Sequence, residues 1–313
     1  MNPVQGVRQS GDHELPPRHD IPPGGRSVFA TFGERQVHFL EWGTRQDPAV
    51  ILLHGAGQTA YAFEYLAGAL ASCHYVVAPD LPDHGDSDPF DDGRWTRQDI
   101  SAAVSELLDE LRVEQAAFVG ASLGGIAAAT IAVDEPDRVC ALVLVDVAHR
   151  VEHAGRDQLV EFFVKTESFA SVEETAEVLS EFFGRPRRIR PESLRRSLRQ
   201  REDGRWVWKH GLARRQLAIR AAGGELLEDG VSDPLLVDFD TDAAKLTCPV
   251  LVVRGGNSPI VTAESAQELA DLMNDGRVAV IEDAGHLVIS DNPSAALDVV
   301  TDFFREVGWG VHE

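Results

Sequence analysis

The sequence predicts an α/β fold: a mostly parallel sheet with helices on both faces, interrupted by a helical insertion. Three observations point there. Short, almost wholly apolar runs alternate with amphipathic stretches up to about residue 149. The alternation disappears between residues 150 and 240 and returns from residue 241 to the end. The runs are apolar throughout instead of every second residue, as expected of strands buried on both faces by helices.

Taken in order, residues 1–25 are rich in Pro, Gly and charge and contain no apolar stretch of signal-peptide length, so they are expected to be a disordered tail. The strand-like runs are "RQVHFLEWG", "AVILLHG", "HYVVAPD", "AAFVGAS" and "VCALVLVDV". Between them, "TRQDISAAVSELLDELR" places Ile100, Val104, Leu107, Leu108 and Leu111 on one face at a period near 3.6, which is helical. Residues 150–240 read as helices joined by Arg-rich loops. Then "CPVLVVRGG" and "GRVAVIEDAGH" resume the strand pattern, and "NPSAALDVVTDFFREVG" closes the chain as a helix. The expected organisation is therefore a core of residues 26–149 and 241–313 around an insertion at 150–240.

The 313 residues, 43% apolar, suffice for one large domain with a sizeable core. A formal charge of −22 argues against a general nucleic-acid binder. Cys73, Cys140 and Cys248 lie beside apolar runs without paired spacing, so buried free thiols in a reducing, cytoplasmic setting are expected. No run has the length of a transmembrane helix, and no stable membrane association is expected.

The chemistry gathers at the ends of the strand-like runs. Gly120-Ala121-Ser122-Leu123-Gly124 follows one run and opens the helix-like "LGGIAAATIAV". A sharp strand-to-helix turn lifts a serine hydroxyl above a sheet, and glycines two residues to either side remove the side chains that would clash. The serine also sits at a helix N-terminus, where free N–H groups favour negative charge. "HGAG" (His54-Gly55-Ala56-Gly57) ends an earlier strand, and its N–H groups, Ala56 foremost, can face a developing oxyanion together with that of Leu123. Asp80, Asp83, His84 and Asp86 in "DLPDHGDSD" lie in a Pro/Gly loop without metal-ligand spacing, so a structural turn is expected there instead of a metal site. His286, in "DAGHLV", follows the last strand and can take the serine proton; His149 and His153 lack that placement.

"HGAG", "DLPDHGDSD", "GASLGG" and "DAGH", in that order, resemble the α/β-hydrolase fold superfamily over residues 30–308, most nearly its esterase, haloperoxidase-like and carbon–carbon bond hydrolase branches. The resemblance implies an eight-stranded sheet, a helical cap where the insertion falls, Ser122 as nucleophile, His286 as base, and the N–H groups of Ala56 and Leu123 as oxyanion hole. It implies no metal and no organic cofactor.

The departure is the acid. Members of the superfamily often carry an aspartate after "RG-x-x-S", and here that position is Pro259. Three resolutions stand open, and the first is favoured, because a chain that keeps nucleophile, base and oxyanion hole gains much from an acid elsewhere. Asp146 ends the strand after the nucleophile helix and keeps the chain order serine, acid, histidine. Asn257 or Ser258 can orient the imidazole without a charge. Or the histidine has no partner, which leaves a weak enzyme or a ligand-binding protein.

Residues 185–215 hold 12 of the 29 Lys and Arg residues, in a segment that reads either as a cap held by surface ion pairs or as an attractor for a carboxylate-bearing substrate. Within it, "SLRRSLRQ" has the spacing of a basic helix. Gly55, Gly57, Phe162, Trp206 and Trp208 are candidate pocket residues, the aromatics being equally able to pack the cap. The expected function is hydrolysis of a small or medium carboxylic ester, a small-molecule substrate, by a serine hydrolase. Cleavage of a carbon–carbon bond in a ring-cleavage product is the alternative, and ligand binding with little turnover is the rival from outside catalysis.

Overall fold

The computed structural model describes residues 7–8, 22–90, 95–184, 189–215 and 235–310. Most of the expected N-terminal tail lies outside these. Two of its residues, Val7–Arg8 (β1), pair with Ala30 and Phe29 at the edge of the sheet.

The remaining strands of the main sheet are β2 (Arg26–Phe32), β3 (Arg35–Trp42), β4 (Ala49–Leu53), β5 (Tyr75–Pro79), β6 (Ala116–Ala121) and β7 (Val139–Val145), followed after the insertion by β10 (Val250–Gly255) and β11 (Gly276–Ile281). The order across the sheet is β1-β2-β3-β5-β4-β6-β7-β10-β11. Pairing is antiparallel as far as β5 and parallel from β5 to β11. The fold class is the expected one. β2 escapes the apolar-run criterion because it lies near an edge: only Val28 and Ala30 are buried, so it alternates.

Successive residues of a strand face opposite sides, and here each side has its own core. Ile51 and Phe118 join Ile126, Leu107 and Leu269 on one face; Val50, Leu52 and Val119 join Leu66, Val300 and Phe304 on the other. The helices that supply them are α1 (Glu64–Leu70), α2 (Arg97–Leu111), α3 (Leu123–Asp134) and, past the insertion, α8 (Ala263–Asp271) and α10 (Pro293–Glu306). In α2 all five apolar residues of the predicted stripe are buried. The helix starts at a capping box in which Thr96 and Asp99 satisfy each other's backbone N–H.

The insertion begins as a helical cap with α4 (His153–Lys165), α5 (Val172–Phe182) and the single turn α6 (Pro191–Leu194). It then departs from the all-helical expectation. β8 (Leu198–Gln200) and β9 (Trp206–Trp208) form an antiparallel hairpin. "SLRRSLRQ" is therefore not one basic helix: Leu194 ends a turn of helix and Leu198 opens a strand. Two tryptophans around Val207 favour strand, and Gly204 takes the left-handed φ of 83° that the turn between the strands requires. The cap has a core of its own in Phe163, Phe169, Val172, Leu179, Leu198 and Trp208. The chain is back at the sheet in α7 (Phe239–Ala243), whose Phe239 is buried in the first sheet-face core. A last short turn, α9 (Val288–Asp291), follows β11.

Among the described residues no helix is long and apolar enough to cross a membrane. The cysteines are all free, but only Cys248 is fully buried; Cys73 and Cys140 are partly exposed, short of the burial expected for all three.

Candidate active site

β6 delivers Ser122 to the carboxyl edge of the sheet. Its φ of 48° and ψ of −116° lie in a region non-glycine residues rarely occupy, at a cost of roughly 1–3 kcal/mol. The surroundings enforce it. Ser122 N–H donates to the Val145 carbonyl of β7 at 2.9 Å, while Gly125 and Ile126 N–H donate to the Ser122 carbonyl as the helix begins. A Cβ on Gly124 would stand 2.1 Å from the Leu53 carbonyl oxygen, and one on Gly120 would stand 2.4 Å from that of Gly124. Both glycines are thus required by close backbone approach.

Asp146 follows β7 with a left-handed φ of 53°, its backbone N–H donating to the Val253 carbonyl at 2.7 Å. Its carboxylate is fully buried. Oδ1 accepts the Gly255 N–H at 3.0 Å. Oδ2 accepts the Ser258 hydroxyl at 2.6 Å and lies 2.7 Å from His286 Nδ1. With Nδ1–H donating to the carboxylate, Nε2 is left as the proton acceptor of the neutral ring. The imidazole thus has a charged partner, held in turn by two further donors.

The loop that lacks the usual aspartate does a different job. Ser258 Oγ accepts the N–H groups of Ile260 and Val261 at 3.2 and 3.1 Å while it donates to Asp146. Pro259 turns its carbonyl toward the cap, where a Cβ on Gly155 would be 2.3 Å away. Asn257 is tied through its backbone N–H to the Ala284 carbonyl at 2.8 Å.

One cavity brings two of the expected site residues together: Ser122 and His286 both line it, with Gly55, Ala56, Gln58, Ala62, Phe63, Ala121 and the Leu287–Ile289 segment. Leu123 is the first residue of α3, and its N–H has no carbonyl one turn back to bond. The expected pocket residues divide. Gly55 and Ala56 line this cavity. Gly57, at a φ of 78°, faces the Phe163 ring of the cap, where a Cβ would come within 2.7 Å. Phe162 stacks on Phe182 at 4.1 Å. Trp208 packs edge-on against Phe163 and Phe169 inside the cap core, and Trp206 lies beside it under the Arg195 guanidinium. These three aromatics take the packing role, and none lines the cavity beside Ser122.

The "DLPDHGDSD" loop forms a hydrogen-bonded junction. His38, Asp80 and Asp86 approach closely enough to suggest a cation site. Their donors and acceptors are already engaged: His38 Nδ1 with Asp80 Oδ2 at 2.7 Å, His38 Nε2 with Ser27 Oγ at 2.9 Å, and Asp80 with the N–H groups of Ala60 and Asp86. Burial works to raise the Asp80 carboxyl, but the charge and hydrogen bond of His38 outweigh it and hold it at about 2. Gly85 fits because a Cβ would strike that carboxylate at 2.0 Å.

Sequence reasoning missed a row of three histidines that joins the His54–Gly57 loop to the cap. Ring centroids of His54 and His84 are 5.2 Å apart, and those of His84 and His210 are 6.1 Å apart. His54 Nε2 accepts the Leu81 N–H and its Nδ1–H donates to the Gly55 carbonyl, which requires the neutral ring. Burial, with the neighbouring His84, takes its pKa from 6.5 to about 4. His210 stacks on Trp208 at 5.5 Å and bridges His84 through the backbone. Around this joint Gly211 N–H donates to the Asp83 carbonyl, Arg214 pairs with the Asp83 carboxylate and Lys209 with Asp86. Only "HGAG" and "DHG" hinted at it; His210 sits in an Arg-rich stretch with nothing local to mark it.

The sequence profile described as the alpha/beta hydrolase family matches residues 50–299. The chain belongs to this family. Its relatives include Esterase Rv0045c of Mycobacterium tuberculosis, 34% identical over 84% of this chain and 85% of that protein. A second is the 2-(acetamidomethylene)succinate hydrolase of Mesorhizobium japonicum, 30% identical over 82% of this chain and 87% of the relative. The crystal structure of the mycobacterial esterase superposes with a TM-score of 0.68 at 28% identity, over 90% of this chain and 91% of that one. As an α/β-hydrolase related to these enzymes, the chain has the framework and the relatives of a hydrolytic catalyst.

Proposed function

We propose that this α/β-hydrolase cleaves a small or medium carboxylic ester through an acyl-enzyme at Ser122. One observation carries the reading: Ser122, strained on its elbow, shares a cavity with His286, whose far ring nitrogen is bonded to the buried Asp146. Ser122 Oγ attacks the carbonyl carbon as its proton passes to His286 Nε2. The oxygen of the resulting tetrahedral intermediate is received by the N–H groups of Ala56 and Leu123. The intermediate collapses, the C–O bond to the alcohol breaks, and the imidazolium gives its proton to the leaving oxygen. A water, deprotonated in turn by His286, hydrolyses the acyl-enzyme and restores Ser122. Asp146 holds the Nδ1–H tautomer and stabilises the imidazolium, the role the superfamily more often assigns to the position of Pro259. The relative whose name reads esterase supports the substrate class. The ligand-binder reading loses its motive, because His286 does not lack an acidic partner.

A fluorophosphonate probe tests this directly. Labelling of the wild type that vanishes in Ser122→Ala, with p-nitrophenyl ester turnover lost in parallel, is the expected result. A wild type that neither labels nor turns over esters contradicts it.

A further inference from the structure

The cavity beside Ser122 has a polar group that the mechanism leaves unused. Apart from the reacting pair, its lining side chains are apolar except for Gln58. Gln58 Oε1 accepts the Gly55 N–H at 3.0 Å, and its backbone N–H donates to the Gly55 carbonyl at 3.1 Å. The first bond fixes the amide's orientation, since an N–H donor can only be met by the oxygen. Nε2 then carries the two remaining N–H donors, and among the described residues it makes no bond. The place where a Cβ on Gly55 would stand is 3.0 Å from Gln58 Oε1 and 3.3 Å from Ser122 Cβ, so the amide lies next to the nucleophile.

We infer that Gln58 is a positioning and specificity-determining residue: Oε1 clamps the oxyanion loop, and Nε2 donates to a hydrogen-bond acceptor on the substrate, selecting esters that carry a carbonyl, ether or hydroxyl oxygen close to the scissile bond. This rests on the reading of Ser122 as nucleophile. The two halves of the amide have separate effects. The clamp keeps the Gly55–Ala56 peptide aimed, and so acts on every substrate. The donors act only on a substrate that offers an acceptor. A plain alkyl chain in the same place leaves two N–H groups without water or partner, and a site built around a hydrogen bond discriminates against such a substrate more strongly than an apolar site against one extra methylene.

The halves separate by substitution. Gln58→Glu keeps an oxygen for the Gly55 N–H and removes the donors at neutral pH; Gln58→Met removes both. The probes are p-nitrophenyl hexanoates with one methylene replaced by a carbonyl at successive positions, and acetate esters with the same replacement in the alcohol. Each kcat/KM is divided by that of the plain ester and corrected for alkaline hydrolysis. The wild type is expected to favour at least one keto ester by about tenfold or more, with the ratio falling toward unity in both variants. That loss of the ratio is what a merely structural role for the residue does not predict; plain-ester kcat, which reads the clamp alone, is expected to fall further in Gln58→Met than in Gln58→Glu. A wild-type ratio near unity in both series, or a ratio that survives in Gln58→Met, overturns the inference. Fluorophosphonate labelling of Ser122 in all three proteins marks such a failure as belonging to Gln58; absence of labelling in the wild type takes down the nucleophile reading and this one with it.

Discussion

At the scale of single residues, the proposed mechanism turns on which atom meets His286 Nδ1. It is Asp146 Oδ2, and the same oxygen takes a second bond from Ser258. Asp146→Asn is therefore expected to lower ester turnover by about two to four orders of magnitude, since a neutral partner neither holds the tautomer nor stabilises imidazolium. Steady-state kcat against wild type measures it; a value within severalfold removes Asp146 from the mechanism. Ser258→Ala removes one donor to the carboxylate and is expected to cost about tenfold in kcat with little change in KM, the worth of one charge-assisted bond. Pro259→Asp is expected to bring no gain, because Nδ1 already has its acceptor. The sequence favoured Asp146 among three resolutions on chemical grounds alone; the contact itself was not legible, because the Asp146–His286 bond spans 140 positions and depends on how β7 and β10 register. Ser122 was legible because its elbow is local, with strand, glycines and helix all within a few residues.

At the scale of elements, the parallel strands and α2 were legible because burial on both faces, or on one stripe, writes itself into composition. The hairpin β8–β9 was not, because three-residue strands are too short to show a period, and leucines spaced by four also fit a helix. The hairpin anchors the cap through Trp208, so Trp208→Ala is expected to cost about 3 kcal/mol or more in the cap. Faster proteolysis between residues 189 and 215 reports it, while Ser122→Ala leaves that rate unchanged. The histidine row at the joint has a pH signature. Burial takes His54 from 6.5 to about 4 and, as the main cause, lowers His84 and His210 as well. The unfolded chain then binds more protons than the folded one between these values, so stability is complete above pH 6.5 and declines as pH falls toward about 4. The melting temperature is expected to drop between about pH 7.5 and pH 5, and to drop less in His210→Phe, which keeps the stack on Trp208 without titrating. A flat profile contradicts this.

At the scale of the whole molecule, the sheet gathers the ends of distant strands on one edge, where β4, β6, β7 and β11 lead into the Gly55–Ala56 loop, Ser122, Asp146 and His286 in turn. The parallel α/β class followed from the apolar runs, while the order of the strands across the sheet did not. The cap's relation to the site did not, because it is made by contacts such as Gly57 with Phe163 and His84 with His210 that no local pattern encodes. The central claim is that this edge forms a covalent acyl intermediate at one serine. Its most direct measurement is the intact mass of the protein quenched in acid within milliseconds of mixing with a p-nitrophenyl ester, followed by peptide mapping. The account predicts an added acyl mass located at Ser122 and absent from Ser122→Ala. Turnover without any adduct under conditions where deacylation limits the rate, or an adduct on another residue, would contradict it.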